Sequence, residues 1–397
     1  MKILVINSGS SSIKFKLFDM SDESVICKGL IEQIGQTNSG VKITNVKTGA
    51  NVERIMPITN HGFGIDMMNF LLFEVGALQS LADIAAVGHR VVQGADIFKS
   101  AVLVDADVLK KIEDLIPLAP LHNLASISGI RECQRVSPQI PNVAVFDTVF
   151  HQSMPPEAYM YALPWELYEN HKIRRYGAHG TSHEYVSKQA AKLLGKGENE
   201  LNAISLHIGS GASVCAIKGG KCVDTSMGLT PLEGLMMGTR SGDMDPAIVT
   251  FLLEYTRYTP AEIDAIMNKK SGLIAIAGTN DMRDIHQKVS EGDAKASLAL
   301  AMHVRRVKKY IGAYHAIIGQ IDCIIFTAGI GENDAKWRAA VCEGLEIFGI
   351  EIERAKNEQN SHEDRDISKD DSKIKILVIP TDEELAIAQK TKETIEK

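Results

Sequence analysis

The sequence predicts an α/β protein built from two related halves, and three observations carry that prediction. Short β-branched apolar runs alternate with stretches of helical spacing from one end of the chain to the other. One pattern, an apolar run that breaks into a small hydroxyl-rich turn and then resumes, occurs twice, as ILVINSGSSSIKF at 3–15 and AISLHIGSGASVCAI at 203–217. Aligning the copies sets Ser8-Gly9-Ser10 on Gly209-Ser210-Gly211 and Ser12 on Ser213, so each half opens on a strand, a tight turn and a second strand. Finally, 397 residues with 45% hydrophobic content bury enough surface for about two domains.

The elements follow in order. KILVIN, AAVGHRVV, NVAVFDTVF, AISLHIG, DCIIFTAG and KILVIPT read as strands. The stretch 293–319 has apolar residues at helical spacing, and its basic cluster of Arg305, Arg306, Lys308 and Lys309 reads as a solvated helix face. SHEDRDISKDDSKIK reads as a charged surface connection before a strand at 374–379. A last helix begins at Thr381 or Asp382 as N-cap and is free to return onto the first half. The expected domains are therefore 1–150 joined by 381–397, and 151–380.

Composition narrows the function. A formal net charge of -7 argues against broad binding to nucleic acid or anionic membranes, so an anionic substrate must be met by locally placed arginines. No apolar run approaches the roughly 20 residues of a membrane helix, and MKILVINSGSS lacks a signal-peptide core, which leads to the expectation of a soluble cytoplasmic protein. Six cysteines lie scattered in apolar contexts without a CxxC pair and read as buried reduced thiols.

The two Ser/Gly turns offer backbone N–H groups and hydroxyls that suit a polyphosphate gripped from two sides. Neither GxxxxGK[ST] nor GxGxxG is present. Gly329-Ile330-Gly331 lacks the third glycine of a dinucleotide fingerprint and reads better as a turn passing under a nucleoside, with Glu332 or Asn333 at the ribose or base. Arg90 follows a buried strand and Arg240 sits in a Gly-rich loop; such positions present a guanidinium fork to a carboxylate or phosphate. His179 and His183 stand four residues apart, but no HExxH glutamate accompanies them, so one histidine donating to a phosphoryl oxygen is the better reading than zinc. Asp147 ends a strand where open α/β sheets place functional carboxylates. Asn7 with Glu383 or Glu384 offers sparse ligands of the kind Mg²⁺ accepts.

The motifs VINSGSSSIKF, GHRVV, VFDTVFHQSMP, HGTSHEYVS, SMGLTPLEGLMMGTRSGDMDP, FTAGIGEN and PTDEELAIA, in this order, resemble the acetate kinase family along essentially the whole chain. The resemblance implies duplicated ribonuclease-H-like domains of the kind shared with sugar kinases, actin and heat-shock ATPases, with the active site in the cleft between them. It implies a homodimer and a reversible, direct in-line transfer between ATP and acetate, giving ADP and acetyl phosphate, with Mg²⁺ or alternatively Mn²⁺. Carried over by motif, Asn7 and Glu383 hold the metal, and Ser10, Ser12 and Lys14 meet nucleotide phosphate. His207, Ile208, Gly209, Ser210 and Gly211 cradle the phosphates from the other half. Asp281, Met282, Arg283 and Gly329, Ile330, Gly331, Glu332 and Asn333 surround the adenosine. Arg90 binds the carboxylate, Asp147 orients it or acts on the substrate's proton state, and Arg240 and His179 stabilise the phosphoryl group in flight.

The chain departs from the family pattern at several points. HIGSG stands where the family reads HLGNG, which places Ser210 for an amide; HNLAS stands for HNPAN at 122–126 and GHRVVQGA for GHRVVHGG at 88–95. Ala178 stands for the usual Phe, which leads to the expectation of a wider acyl pocket lined by Val92, Leu121, Ala178 and Pro231, open to propionate or other short acyl chains. A sugar kinase or polyphosphatase of the same superfamily gives no reason for two arginines in such positions, and a nucleotide-gated binding module would need an appended peptide-binding domain or polymer contacts.

Overall fold

The hairpin at the start of the chain forms as its alternation requires. The strands β1 (Lys2–Ser8) and β2 (Ser12–Asp19) pair antiparallel with Ile6 opposite Phe15 and Asn7 opposite Lys14, and the Gly9 amide donates to the Ser12 carbonyl at 2.8 Å to close the turn. The computed structural model describes residues 1–397, the side chains of Pro120 and Leu121 excepted. It divides into two units, Met1–Val149 with Asp382–Lys397, and Phe150–Thr381. No helix among the described residues is long and apolar enough to cross a membrane.

In the first unit, β3 (Ser24–Glu32), β4 (Ser39–Asn45) and β5 (Asn51–Met56) extend the antiparallel side. Beyond β1, β6 (Ile84–Val91), β7 (Val102–Leu103) and β8 (Asn142–Phe146) complete the order β5-β4-β3-β2-β1-β6-β8-β7, with β6 and β8 parallel to β1. The helices His61–Glu74 and Pro120–Val136 cover one face, where Ile6, Ile13, Phe15, Leu71 and Leu72 share one apolar cluster. Each such side chain contributes about 1.5–3 kcal/mol on burial. The helix Glu383–Ile395 covers the other face against Ile3, Val5, Val143 and Val145. It approaches β6 so closely that a Cβ at Gly88 would lie 2.3 Å from Thr391 Oγ1, so glycine is required there.

The second unit repeats the plan. Its strands β9 (Ala203–Ile208), β10 (Ala212–Lys218), β11 (Lys221–Thr225), β12 (Cys323–Thr327), β13 (Arg365–Asp366) and β14 (Lys375–Val378) are ordered β11-β10-β9-β12-β14-β13. That reproduces the run β3-β2-β1-β6-β8-β7: three antiparallel strands, two further strands parallel to the first of them in the chain, then an antiparallel edge. The helix Ala294–Ile318 packs on one face of this sheet and Gly180–Leu193 on the other. The first of these starts where Asp293 accepts from the amides of Lys295 and Ala296, and stops at Gly319.

Four local readings change. The strand in NVAVFDTVF ends at Phe146, and Val149–Ser153 turns into a short 3-10 helix. GIGEN lies in a helix, Ala328–Asn333, not in a turn. Glu332 makes that helix by accepting from the Ala328 amide at 2.8 Å and the Thr381 amide at 3.0 Å. The charged connection contains β13, which pairs antiparallel with β14, and Ile367 and Ser368 that follow it are buried. Arg306 belongs to no solvated face; its guanidinium donates to the Gly234 and Asp243 carbonyls.

Candidate active site

In the first unit, β6 and β8 lie side by side and bring Arg90 to Asp147. Arg90 Nε and Nη2 donate to Asp147 Oδ2 at 3.0 and 2.6 Å, and Asp147 is fully buried. Arg90 Nε also stands 3.6 Å from Glu383 Oε2, at the start of the terminal helix. Burial opposes the guanidinium's charge, yet Asp147 and Glu383 hold its pKa above the ordinary arginine value. Behind it, Ser126 Oγ donates to the Arg90 carbonyl at 3.0 Å, and the Asn123 side chain clasps the backbone of Gln93. The HNLAS and GHRVVQGA segments thus bind each other and fix the strand end that presents Arg90. Val92 is half-buried, and the Leu121 side chain lies outside the described residues.

The structure separates the two candidate metal carboxylates. Glu384 is buried and bound by Lys14 at 2.5 Å and by Lys16 at 3.2 Å, while Asp382 caps the helix and also pairs with Lys16. Burial pushes against its charge, but Lys16 and Lys14 hold the Glu384 carboxyl below the usual range. Burial instead raises Glu383, against the pull of Arg90. Lys14, opposite Asn7 in the hairpin, ties β2 to the same helix start that carries Glu383. Ser10 is exposed on the turn and Ser12 half-buried at its far side.

In the second unit, the long segment between β11 and the helix Ala247–Tyr255 carries Arg240. Its glycines permit the path: Gly234 and Gly242 adopt φ of 105° and 67°, where a Cβ would strike backbone atoms. Polar anchors pin it. Arg175 donates to the carbonyls of Thr225, Ser226 and Met227 and pairs with Glu233 at 2.6 Å; Tyr161 also donates to Glu233; Arg306 holds the Gly234 and Asp243 carbonyls. Arg240 itself donates to the Pro231 carbonyl at 3.1 Å and meets Met237 Sδ. It has no carboxylate partner among the described residues, and burial lowers its pKa with no opposing charge.

His179 stands beside it. A Cβ built on Gly211, in the β9–β10 turn, would lie 3.4 Å from Arg240 Nη1 and 3.6 Å from His179 Nε2, so both groups flank that turn. His179 holds φ +60°, a left-handed conformation, as the residue before the helix Gly180–Leu193. The preceding Ala178 carbonyl accepts from His151 Nε2 at 2.9 Å. His179 stacks on His207 with ring centroids 4.1 Å apart. Ala178 is buried in the unit's apolar cluster, and Pro231 is half-buried. His179 and His183 share one Ser213 hydroxyl, both at 2.8 Å, instead of forming a metal pair.

A cavity of about 740 Å³ opens next to the same turn. Gly209, Ser210, Asp281, Met282, Arg283, Gly329, Ile330 and Asn333 line it, as do Asn280 and His286, which sequence reasoning missed. Gly331 and Glu332 do not: Gly331 is buried and Glu332 is bound to the amides of Ala328 and Thr381. His207 and Ile208 are buried on β9, and Gly211 faces Arg240 and His179. Asp281 caps the helix Met282–Ser290 and pairs with the exposed Arg283, while His286 Nε2 meets Asp334 Oδ2 at 2.7 Å.

The model of the acetokinase family matches residues 2–389. The acetate kinase of Campylobacter fetus subsp. fetus is 64% identical over 391 residues, 98% of either chain. The acetate kinase of Campylobacter jejuni subsp. jejuni is 52% identical over the full length of both chains. Among solved structures, Porphyromonas gingivalis acetate kinase superposes with a TM-score of 0.94 at 42% identity, covering 99% of each chain. A propionate kinase from Francisella tularensis superposes with 0.93 at 43% identity over the same share.

Proposed function

From a chain that belongs to the acetokinase family, we propose how the residues divide the work of an acetate kinase. The enzyme transfers the γ-phosphoryl group of ATP to acetate, and its fold is the duplicated ribonuclease-H-like one. An acetate oxygen bonds to the γ-phosphorus as the bond to the β–γ bridging oxygen breaks, and ADP leaves with that electron pair. Acetate is ionised near pH 7, so no general base is needed. What the reaction needs is alignment and positive charge around the equatorial oxygens.

One observation carries the reading: Arg240, half-buried and without a carboxylate partner among the described residues, beside His179 Nε2 at the Gly211 turn. A guanidinium in that setting favours an incoming anion, and His179 adds a donor at the same place. Arg90, held by Asp147, binds the acetate carboxylate. The cavity at Ser210, Asp281 and Ile330 takes the adenosine.

Mg²⁺ belongs to the same proposal, with Glu383 and Asn7 as its holders, directly or through water. The donor set fits a hard cation: an amide and a carboxylate whose neighbour Glu384 is already bound by two lysines. When bound, the ion neutralises phosphate charge. A cytoplasmic homodimer is part of the reading, and the helix Ala247–Tyr255 supports the pairing of two copies by exposing Ile248, Phe251, Leu253 and Tyr255. Acetate, propionate and butyrate with ATP and Mg²⁺, trapped with hydroxylamine, test the whole. Acetate is expected to give the most hydroxamate, and no hydroxamate from any of the three would overturn the reading.

A further inference from the structure

Beneath His179 lies a row of polar groups that the transfer itself does not touch. Ser213 Oγ is 2.8 Å from His179 Nδ1 and 2.8 Å from His183 Nε2, and His183 Nδ1 is 2.8 Å from Ser205 Oγ. Ser205, Ser213 and His183 are fully buried, the two serines on the adjacent strands β9 and β10. Each distance is a full hydrogen bond, so the protons run along the row in one of two directions, unless Ser213 accepts from both rings and leaves its own buried proton without an acceptor.

Satisfaction of buried donors chooses between them. If His179 Nδ1 carried the proton, Ser213 would accept it and donate to His183 Nε2. His183 would then donate from Nδ1 to Ser205 Oγ, and the Ser205 hydroxyl proton would have no acceptor, because His183 is that oxygen's only partner among the described residues. A buried donor left unmade is costly. In the opposite direction Ser205 donates to His183 Nδ1, His183 Nε2–H donates to Ser213, and Ser213 donates to His179 Nδ1. Every group is then used, and His179 carries its proton on Nε2, the atom that flanks the Gly211 turn with Arg240.

We propose that Ser205, His183 and Ser213 are positioning residues that hold His179 as the neutral Nε2–H tautomer, a hydrogen-bond donor ready for the phosphoryl group. This rests on the reading of His179 as the phosphoryl donor. Burial independently keeps His183 neutral, which the row requires. A neutral His179 also avoids placing a second positive charge against the uncompensated Arg240.

Two readouts test it. In protein labelled with ¹⁵N-histidine, two-bond ¹H–¹⁵N spectra are expected to show Nε2–H with a bare, hydrogen-bonded Nδ1 for both His179 and His183. Assignment is by His179→Asn and His183→Gln. A proton on Nδ1 of either ring, or on both nitrogens of His179, overturns the proposal. Ser213→Ala is expected to lower kcat about a hundredfold and Ser205→Ala about tenfold, with acetate KM within twofold and His179 tautomers mixed. Unchanged kcat and unchanged spectra in Ser205→Ala contradict the relay even if Ser213→Ala fails to fold. His179→Asn kinetics judge the phosphoryl role separately, since the tautomer spectra of the wild-type enzyme stand or fall without it.

Discussion

The two functional arginines sit in opposite electrostatic settings. Arg90 ends a strand, and its charge is answered in place by buried Asp147 and nearby Glu383. Arg240 rides on a loop, donates to a carbonyl and a thioether, and meets no carboxylate among the described residues. A neutralised and clamped guanidinium recognises by shape, offering its remaining N–H groups in a fixed direction. An uncompensated one in a desolvated site favours whatever negative charge arrives, most of all the charge spread over a phosphoryl group in flight. The difference therefore separates ground-state recognition of acetate from stabilisation of the transfer.

The comparison breaks most severely at Arg240. Arg240→Ala is expected to lower kcat by about 10³ or more, the range of an arginine that stabilises phosphoryl transfer. Turnover within tenfold of wild type would remove Arg240 from that role. Asp147→Asn comes next: losing the charge-assisted bonds frees the Arg90 fork, and acetate KM should rise about tenfold with kcat little changed. A fall in kcat at constant KM would instead tie Asp147 to the chemistry.

A smaller effect tests the helix start that holds Glu383. Glu384→Gln leaves Lys16 without its buried partner and should cost about 2 kcal/mol of stability at pH 7. The folded-state pKa of Glu384 lies below its ordinary value of 4.5, so this contribution is complete above that value and disappears as pH falls through the depressed one. Thermal melts of the variant and the parent should converge in acid; a gap that widens there would refute the ion-pair account. Smallest is Ala178→Phe, which restores bulk beside the His179 backbone. The propionate-to-acetate ratio of kcat/KM should fall, by about tenfold at most. An unchanged ratio assigns Ala178 to the core alone.

The doubled hairpin was legible because a period of two, broken by Ser and Gly, has few other solutions, and both copies fold as antiparallel pairs around turns at 9–11 and 209–211. The helix Ala294–Ile318 was legible from its period and from Asp293 and Gly319 at its ends. GIGEN misled, because its helix depends on Glu332 reaching back to the Ala328 amide and across to Thr381, and no local propensity announces such a cap. The support of the Arg240 loop by Arg175, Glu233 and Arg306 was hidden for the same reason: its partners lie 58 and 72 residues apart in the chain. The Ser205–His183–Ser213 row was invisible, since strand register places its members together and spacing alone suggested only a histidine pair.

The most direct test of the contrast between the arginines is a paired kinetic measurement, with kcat and acetate KM determined for Arg90→Ala and Arg240→Ala under saturating ATP and Mg²⁺. The account predicts that Arg90→Ala mainly raises acetate KM, whereas Arg240→Ala mainly lowers kcat with KM nearly unchanged. Two variants with the same profile would contradict it.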